Sequence, residues 1–256
     1  MGRRRGGRLI STWTTVGGWR MHARVGAEPV LAGPPVVLVH GLGVSSRYMI
    51  PTARLLAPYH RVYAPDLPGS GRSDRTAHVL DIPELADALA GWLRATGLTG
   101  AVLLGNSLGC QTITELALRY PALIARAIFV GPTMDPRALT TRQQFWRLLL
   151  DSPRESPSQP LLTLFDYCVT GPYRTWRTLQ YGLRDPLTMK LRRVRVPTLV
   201  VRGSRDPIVP QRWAEEIVRL LPNGRLVVIP GAAHTANYST PRALVRLVRA
   251  FLRDER

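Results

Sequence analysis

Gly105-Asn106-Ser107-Leu108-Gly109 follows the apolar run Ala101-Val102-Leu103-Leu104 without a break. A serine with glycine two residues before and two after it, between a buried-strand pattern and a helical one, predicts a sharp strand-to-helix corner. Such a corner forms only where the neighbours have almost no bulk. It holds the serine in a strained backbone and projects the hydroxyl into a cleft. Ser107 is therefore the candidate nucleophile, at the end of a strand over 101–106 and the start of a helix over 107–119.

Three further signals fall in a fixed order around it. Upstream, Val36-Val37-Leu38-Val39 runs into His40-Gly41-Leu42-Gly43, a β-branched run ending in a glycine-rich turn. The backbone N–H groups of Leu42 and Leu108 are candidates to hold the oxyanion of a tetrahedral intermediate. Downstream, the strand pattern over 198–203 leads to Asp206, and the pattern over 225–230 leads to His234. Ser107, Asp206 and His234 thus each follow the C-terminal end of a strand, where open α/β sheets gather their catalytic groups. With the turn Asp66-Leu67-Pro68-Gly69-Ser70-Gly71-Arg72-Ser73-Asp74, these motifs resemble the α/β-hydrolase superfamily over about residues 11–251.

That resemblance implies an α/β fold: an eight-stranded, mostly parallel sheet with helices on both faces. Two strands over 11–16 and 18–25 form its antiparallel start. Others are expected over 36–40, 61–65 and 126–130, with helices near 48–56, 83–96, 211–221 and 241–252. The chain reads as a single domain, 1–256, without internal repeats. The alternation breaks at 132–190, which is too long for a plain connection and has helical stretches near 142–150 and 160–169. In the resembled superfamily an insertion after the sixth strand is a helical cap over the site. Seven of the chain's 18 aromatics fall there. Trp146, Phe165 and Trp176, with Tyr238 from beyond the insertion, are substrate-pocket candidates; the same aromatics would serve equally as the cap's own core.

The net charge of +18 imitates a nucleic-acid binder. Lys190 is the only lysine, however, and the arginines are dispersed; Arg242, Arg246, Arg249 and Arg253 form the solvated side of one helix. A specific nucleic-acid partner is not expected, while steering of anionic substrates is. Residues 136–195 carry eleven basic side chains against four acidic ones, so an arginine facing the cleft could bind a carboxylate. No apolar run reaches 18 residues, so no membrane span is expected. The basic start, residues 1–8, lacks the apolar stretch of a signal peptide, and two cysteines give no disulfide framework. A cytoplasmic enzyme is the expectation, of unknown oligomeric state. No metal site or cofactor is expected, since neither zinc spacings nor phosphate-binding glycine patterns occur.

The triad dictates the chemistry. His234 takes the Ser107 proton during attack on a carbonyl and returns it to the leaving group, while Asp206 orients and stabilises the imidazole. Asp135, after the sixth strand, is the alternative acid, because some members of the resembled superfamily carry theirs there. His40 reads as an organiser of the oxyanion turn. His22, His60 and His78 read as surface or packing residues without chemical partners. Asp66, Arg72 and Asp74 read as fixing their turn through backbone hydrogen bonds and a salt bridge. A serine where dehalogenases and epoxide hydrolases of the superfamily use a carboxylate disfavours those activities. The resemblance implies hydrolysis of a carboxylic ester or lactone, a small molecule. C–C cleavage of vinylogous diketone acids is the alternative, as is a non-catalytic binding member of the fold.

Overall fold

β5 (Ala101–Asn106) is buried along its whole length, as a central strand covered on both faces must be. Its side chains alternate, Val102 and Leu104 toward one apolar cluster and Ala101 and Leu103 toward the other. The structure, a computed structural model, describes residues 6–28 and 33–254. The start of the basic N-terminal stretch, 1–5, and both ends of the 1–256 domain lie outside them.

Around β5 lie β1 (Leu9–Val16), β2 (Trp19–Gly26), β3 (Val36–Val39), β4 (Val62–Pro65), β6 (Ile124–Val130), β7 (Thr198–Gly203) and β8 (Gly224–Ile229). They form one eight-stranded sheet in the order β1-β2-β4-β3-β5-β6-β7-β8. β2 is antiparallel to β1 and β4, and every other neighbouring pair is parallel. Gly17 and Gly18, at φ of 54° and 86°, close the β1–β2 hairpin; a two-residue turn with both φ positive matches the twist of the strands it joins.

The helices are α1 (Ile50–Leu56), α2 (Ile82–Ala95), α3 (Leu108–Arg119), α4 (Thr141–Asp151), α5 (Ser158–Thr170), α6 (Pro172–Arg184), α7 (Leu187–Leu191), α8 (Gln211–Leu220), α9 (Ala236–Ser239) and α10 (Pro241–Arg253). Trp92 of α2, Ile113 of α3 and Trp213 of α8 are buried on one face of the sheet. Leu56 of α1 and Val248 and Phe251 of α10 are buried on the other. α2 starts at a reciprocal cap: Asp81 accepts the Glu84 N–H at 2.9 Å and Glu84 accepts the Asp81 N–H at 2.8 Å.

α4 to α7 fill the connection between β6 and β7. α4 is amphipathic in the inverted sense. Arg147 and Asp151 point inward, while Phe145, Trp146, Leu148, Leu149 and Leu150 are exposed. Its inward side chains spend their polarity on fixed partners, Arg147 on Asp135 and Asp151 on the loop of His234. α6 is a helix beyond those expected, with Tyr173 and Trp176 exposed and Gly182 buried against Leu108 and Met134.

His22 corrects an expectation. It is fully buried, with Nδ1 2.8 Å from Asp66 Oδ2 and Nε2 3.0 Å from Ser11 Oγ. His78 also has a partner, Glu84 at 2.8 Å. Asp66 further accepts the N–H groups of Ser46 at 2.6 Å and Arg72 at 2.9 Å. Burial alone would raise its pKa, yet the His22 hydrogen bond and the two backbone donors hold it below the usual carboxylate value. The expected salt bridge to Arg72 does not form; that guanidinium lies 4.7 Å over the Trp13 ring instead. Asp66→Ala would strand His22 and two N–H groups, so urea unfolding is expected to show a loss of about 3–5 kcal/mol.

Candidate active site

Ser107 has φ 55° and ψ −124°, a left-handed backbone on a residue with a side chain, costing about 1–3 kcal/mol. The glycines explain how it persists. A Cβ on Gly109 would lie 2.6 Å from the Val39 carbonyl oxygen and 2.7 Å from that of His40. One on Gly105 would lie 2.7 Å from the Gly109 carbonyl carbon. The corner can turn only where both are bare. The Ser107 N–H donates to Val130 O at 3.0 Å, tying the corner to β6.

The turn after β3 lies against this corner: a Cβ on Gly41 would be 3.1 Å from Ser107 Cβ. His40 shapes the turn with both ring nitrogens, Nδ1 2.9 Å from Gly41 O and Nε2 accepting the Leu67 N–H at 3.0 Å. This fixes the neutral tautomer with its proton on Nδ1 and leaves neither nitrogen free to move protons. Leu42 follows in the same turn. Leu108 opens α3, so its N–H is among those a helix leaves unpaired at its start.

His234 stands on the exit loop of β8 and Asp206 on that of the adjacent β7. Their Nδ1 and Oδ2 atoms are 2.9 Å apart and both residues are buried. Asp206 Oδ1 accepts the N–H groups of Ile208 at 2.8 Å and Val209 at 2.9 Å, which fixes the carboxylate plane. Asn106 joins base to corner: its Nδ2 donates to His234 O at 3.3 Å and to Val130 O at 3.0 Å. At Gly131 a Cβ would lie 2.8 Å from His234 Nδ1, so any side chain there would push the ring away. Burial lowers the proton affinity of His234, but Asp206, Asp151 and Glu155 outweigh it and push its pKa up to about 9.

Asp135 is engaged elsewhere. Arg212 grips it through both guanidinium nitrogens, Nη1 to Oδ1 at 2.9 Å, and Arg147 Nη2 adds a contact at 3.1 Å. Burial pulls its pKa upward, while the bonds from Arg212, the Arg137 N–H and Arg147 carry it below the usual value.

A small cavity of about 30 Å³ opens beside the corner, lined by His40, Gly41, Leu67, Leu85, Leu108 and Arg174 among others. Arg174 is the arginine of the insertion that reaches this cleft, held by Thr76 Oγ1 at 3.3 Å and His78 O at 3.4 Å. Trp146, Phe165 and Trp176 line none of it and are about half-exposed. Tyr238 is half-buried, its hydroxyl 3.1 Å from Ser158 Oγ. Asp151, Glu155 and Arg174 carry no local sequence signal; each acts through a partner dozens of residues away. Among the described residues no three His, Cys, Asp or Glu side chains converge to hold a metal ion, and no helix is long and apolar enough to cross a membrane.

Residues 36–247 match the model of the Alpha/beta hydrolase family, and the chain belongs to that family. It is 28% identical over 249 residues to the pyrrolizixenacetamide deacetylase of Xenorhabdus hominickii, covering 87% of this chain and 92% of that protein. Among solved structures it is similar to E-2-(acetamidomethylene)succinate hydrolase, with a TM-score of 0.81 and 23% identity over 96% of this chain and 100% of the other. The enol-lactonase of Burkholderia xenovorans LB400 gives a TM-score of 0.78 at 23% identity, over 95% and 100% of the two chains.

Proposed function

We propose that this hydrolase transfers an acyl group from a carboxylic ester or lactone to Ser107 and then to water. The observation that carries the reading is the buried His234–Asp206 pair at 2.9 Å, on the edge of the sheet where the strained Ser107 corner also lies. His234 Nε2 takes the Ser107 proton as the oxygen attacks the carbonyl carbon, and Asp206 stabilises the imidazolium. The Leu42 and Leu108 N–H groups hold the oxyanion, each worth about 3 kcal/mol in the transition state. The C–O bond to the leaving alcohol breaks as His234 returns the proton to it. Water, deprotonated by His234, then releases the acid and restores Ser107. The insertion acts as a cap beside the cleft.

The relative named as a deacetylase favours a second reading, the same acyl transfer from an amide nitrogen. Initial rates on p-nitrophenyl esters from acetate to decanoate, on a γ-lactone and on an N-acetyl anilide separate the two. The esters or the lactone are expected to give the highest kcat/KM; a higher value for the anilide would move the assignment to C–N bonds. Only neutral imidazole accepts the serine proton, so kcat/KM is expected to rise with pH through a midpoint at about 9, where half of His234 has lost its proton, and to level off only above it. A profile already flat at pH 6 would contradict that base.

A further inference from the structure

The helical insertion reaches the catalytic histidine through two acids that the triad does not use. Asp151, the last residue of α4, accepts the backbone N–H of His234 on Oδ1 at 3.2 Å. Glu155, four residues on, accepts the Thr235 N–H on Oε1 at 2.6 Å and the Ser239 hydroxyl on Oε2. The Ser156 N–H donates to Ser239 Oγ at 3.0 Å, so one short stretch of the insertion grips the His234–Ser239 loop at four points. Both acids are buried, Asp151 at 2% exposure and Glu155 at 8%. Neutral side chains would satisfy the same N–H groups at far lower desolvation cost. Two carboxylates here therefore do more than close a loop.

We propose that Asp151 and Glu155 are positioning residues for His234: they fix the backbone of its loop and add negative charge beside its imidazole. The base then has its full strength only while the insertion is seated on the sheet. This rests on the reading of His234 as the general base. The charged groups facing the imidazole are Asp206 from the β7 exit loop and these two acids from the insertion; the elbow contributes the neutral Asn106. Arg147, on the same helix as Asp151, is turned to Asp135. Asp151 feels the crowding in return. Burial first, then Glu155 and Asp206, push its pKa up to about 7 against the pull of His234. Ionised carboxylates favour imidazolium, so removing one lowers the pH at which His234 becomes a free base.

The test is an NMR titration of the His234 ring in wild-type protein, Asp151→Asn and Glu155→Gln, run beside pH profiles of kcat/KM. Each amide keeps an oxygen for the backbone N–H and drops the charge. In Asp151→Asn the ring's midpoint and the activity limb are expected to fall together by about one pH unit, with the alkaline plateau nearly kept. Asp151→Ala, which also loses the acceptor, is expected to lower the plateau at least about tenfold. If that variant does not fold, the isosteric Asn and Gln variants decide alone. An unmoved His234 midpoint in both would overturn the electrostatic role, and a full plateau in a folded Asp151→Ala the positioning role. A midpoint that shifts in a protein hydrolysing no carbonyl substrate would instead sink the assigned reaction and leave the coupling standing.

Discussion

Ser107→Ala is expected to lower kcat on p-nitrophenyl esters by about 10⁴- to 10⁶-fold, because it deletes the atom that carries the acyl group. Binding should be nearly untouched: the proposed oxyanion donors, the N–H groups of Leu42 and Leu108, belong to the backbone, and alanine leaves them in place. Thermal unfolding should barely move either, since alanine inherits the same strained φ of 55°. Ser107→Gly separates strain from chemistry. Glycine adopts positive φ freely, so this variant should be equally inactive yet more stable by about 1 kcal/mol. A strained residue whose relief stabilises the protein and abolishes turnover is retained for function.

The second large effect distinguishes the two candidate acids. Asp206→Asn keeps the shape but replaces the acceptor facing His234 Nδ1, so the ring loses its tautomer and the charge that stabilises imidazolium. A loss of about 10⁴-fold in kcat is expected, with little change in KM. Asp135→Asn should do the opposite. It removes the charge of a buried carboxylate on which the half-exposed Arg212 and the partly buried Arg147 converge, so stability is expected to fall by about 1–3 kcal/mol. Activity per folded molecule should stay within a few-fold of wild type. Stability comes from urea unfolding and kcat from the ester assay. Reversed results, Asp206→Asn active and Asp135→Asn dead but folded, would transfer the acid's role to Asp135.

Much of this architecture is written in local signals. The bare glycines around Ser107, the β-branched runs at 36–39 and 198–203, and the loops after them mark strand ends and what stands there, because sterics and period-two burial act over a few residues. The paired Gly17-Gly18 turn is legible for the same reason. What the sequence does not disclose is contact across the fold. His22 looks solitary until β2 lays it on Asp66, 44 residues away. Asp151 and Glu155 look like ordinary surface charge in a basic stretch. Only the seating of α4 on the exit loop of β8 turns them inward, 83 and 80 residues from the N–H groups they accept. Aromatic density predicts a pocket roof, but helix phase decides which way a ring faces, and α4 turns Phe145 and Trp146 outward while Arg147 and Asp151 face the body.

Intact-mass and peptide mapping after treatment with a fluorophosphonate tests the central claim most directly. A nucleophile activated by His234 and flanked by the oxyanion donors should take one phosphonyl group on Ser107, with turnover lost in proportion to labelling. Ser107→Ala should take none. Labelling on another residue, or full ester turnover by Ser107→Ala, would contradict the assignment of Ser107 as the nucleophile.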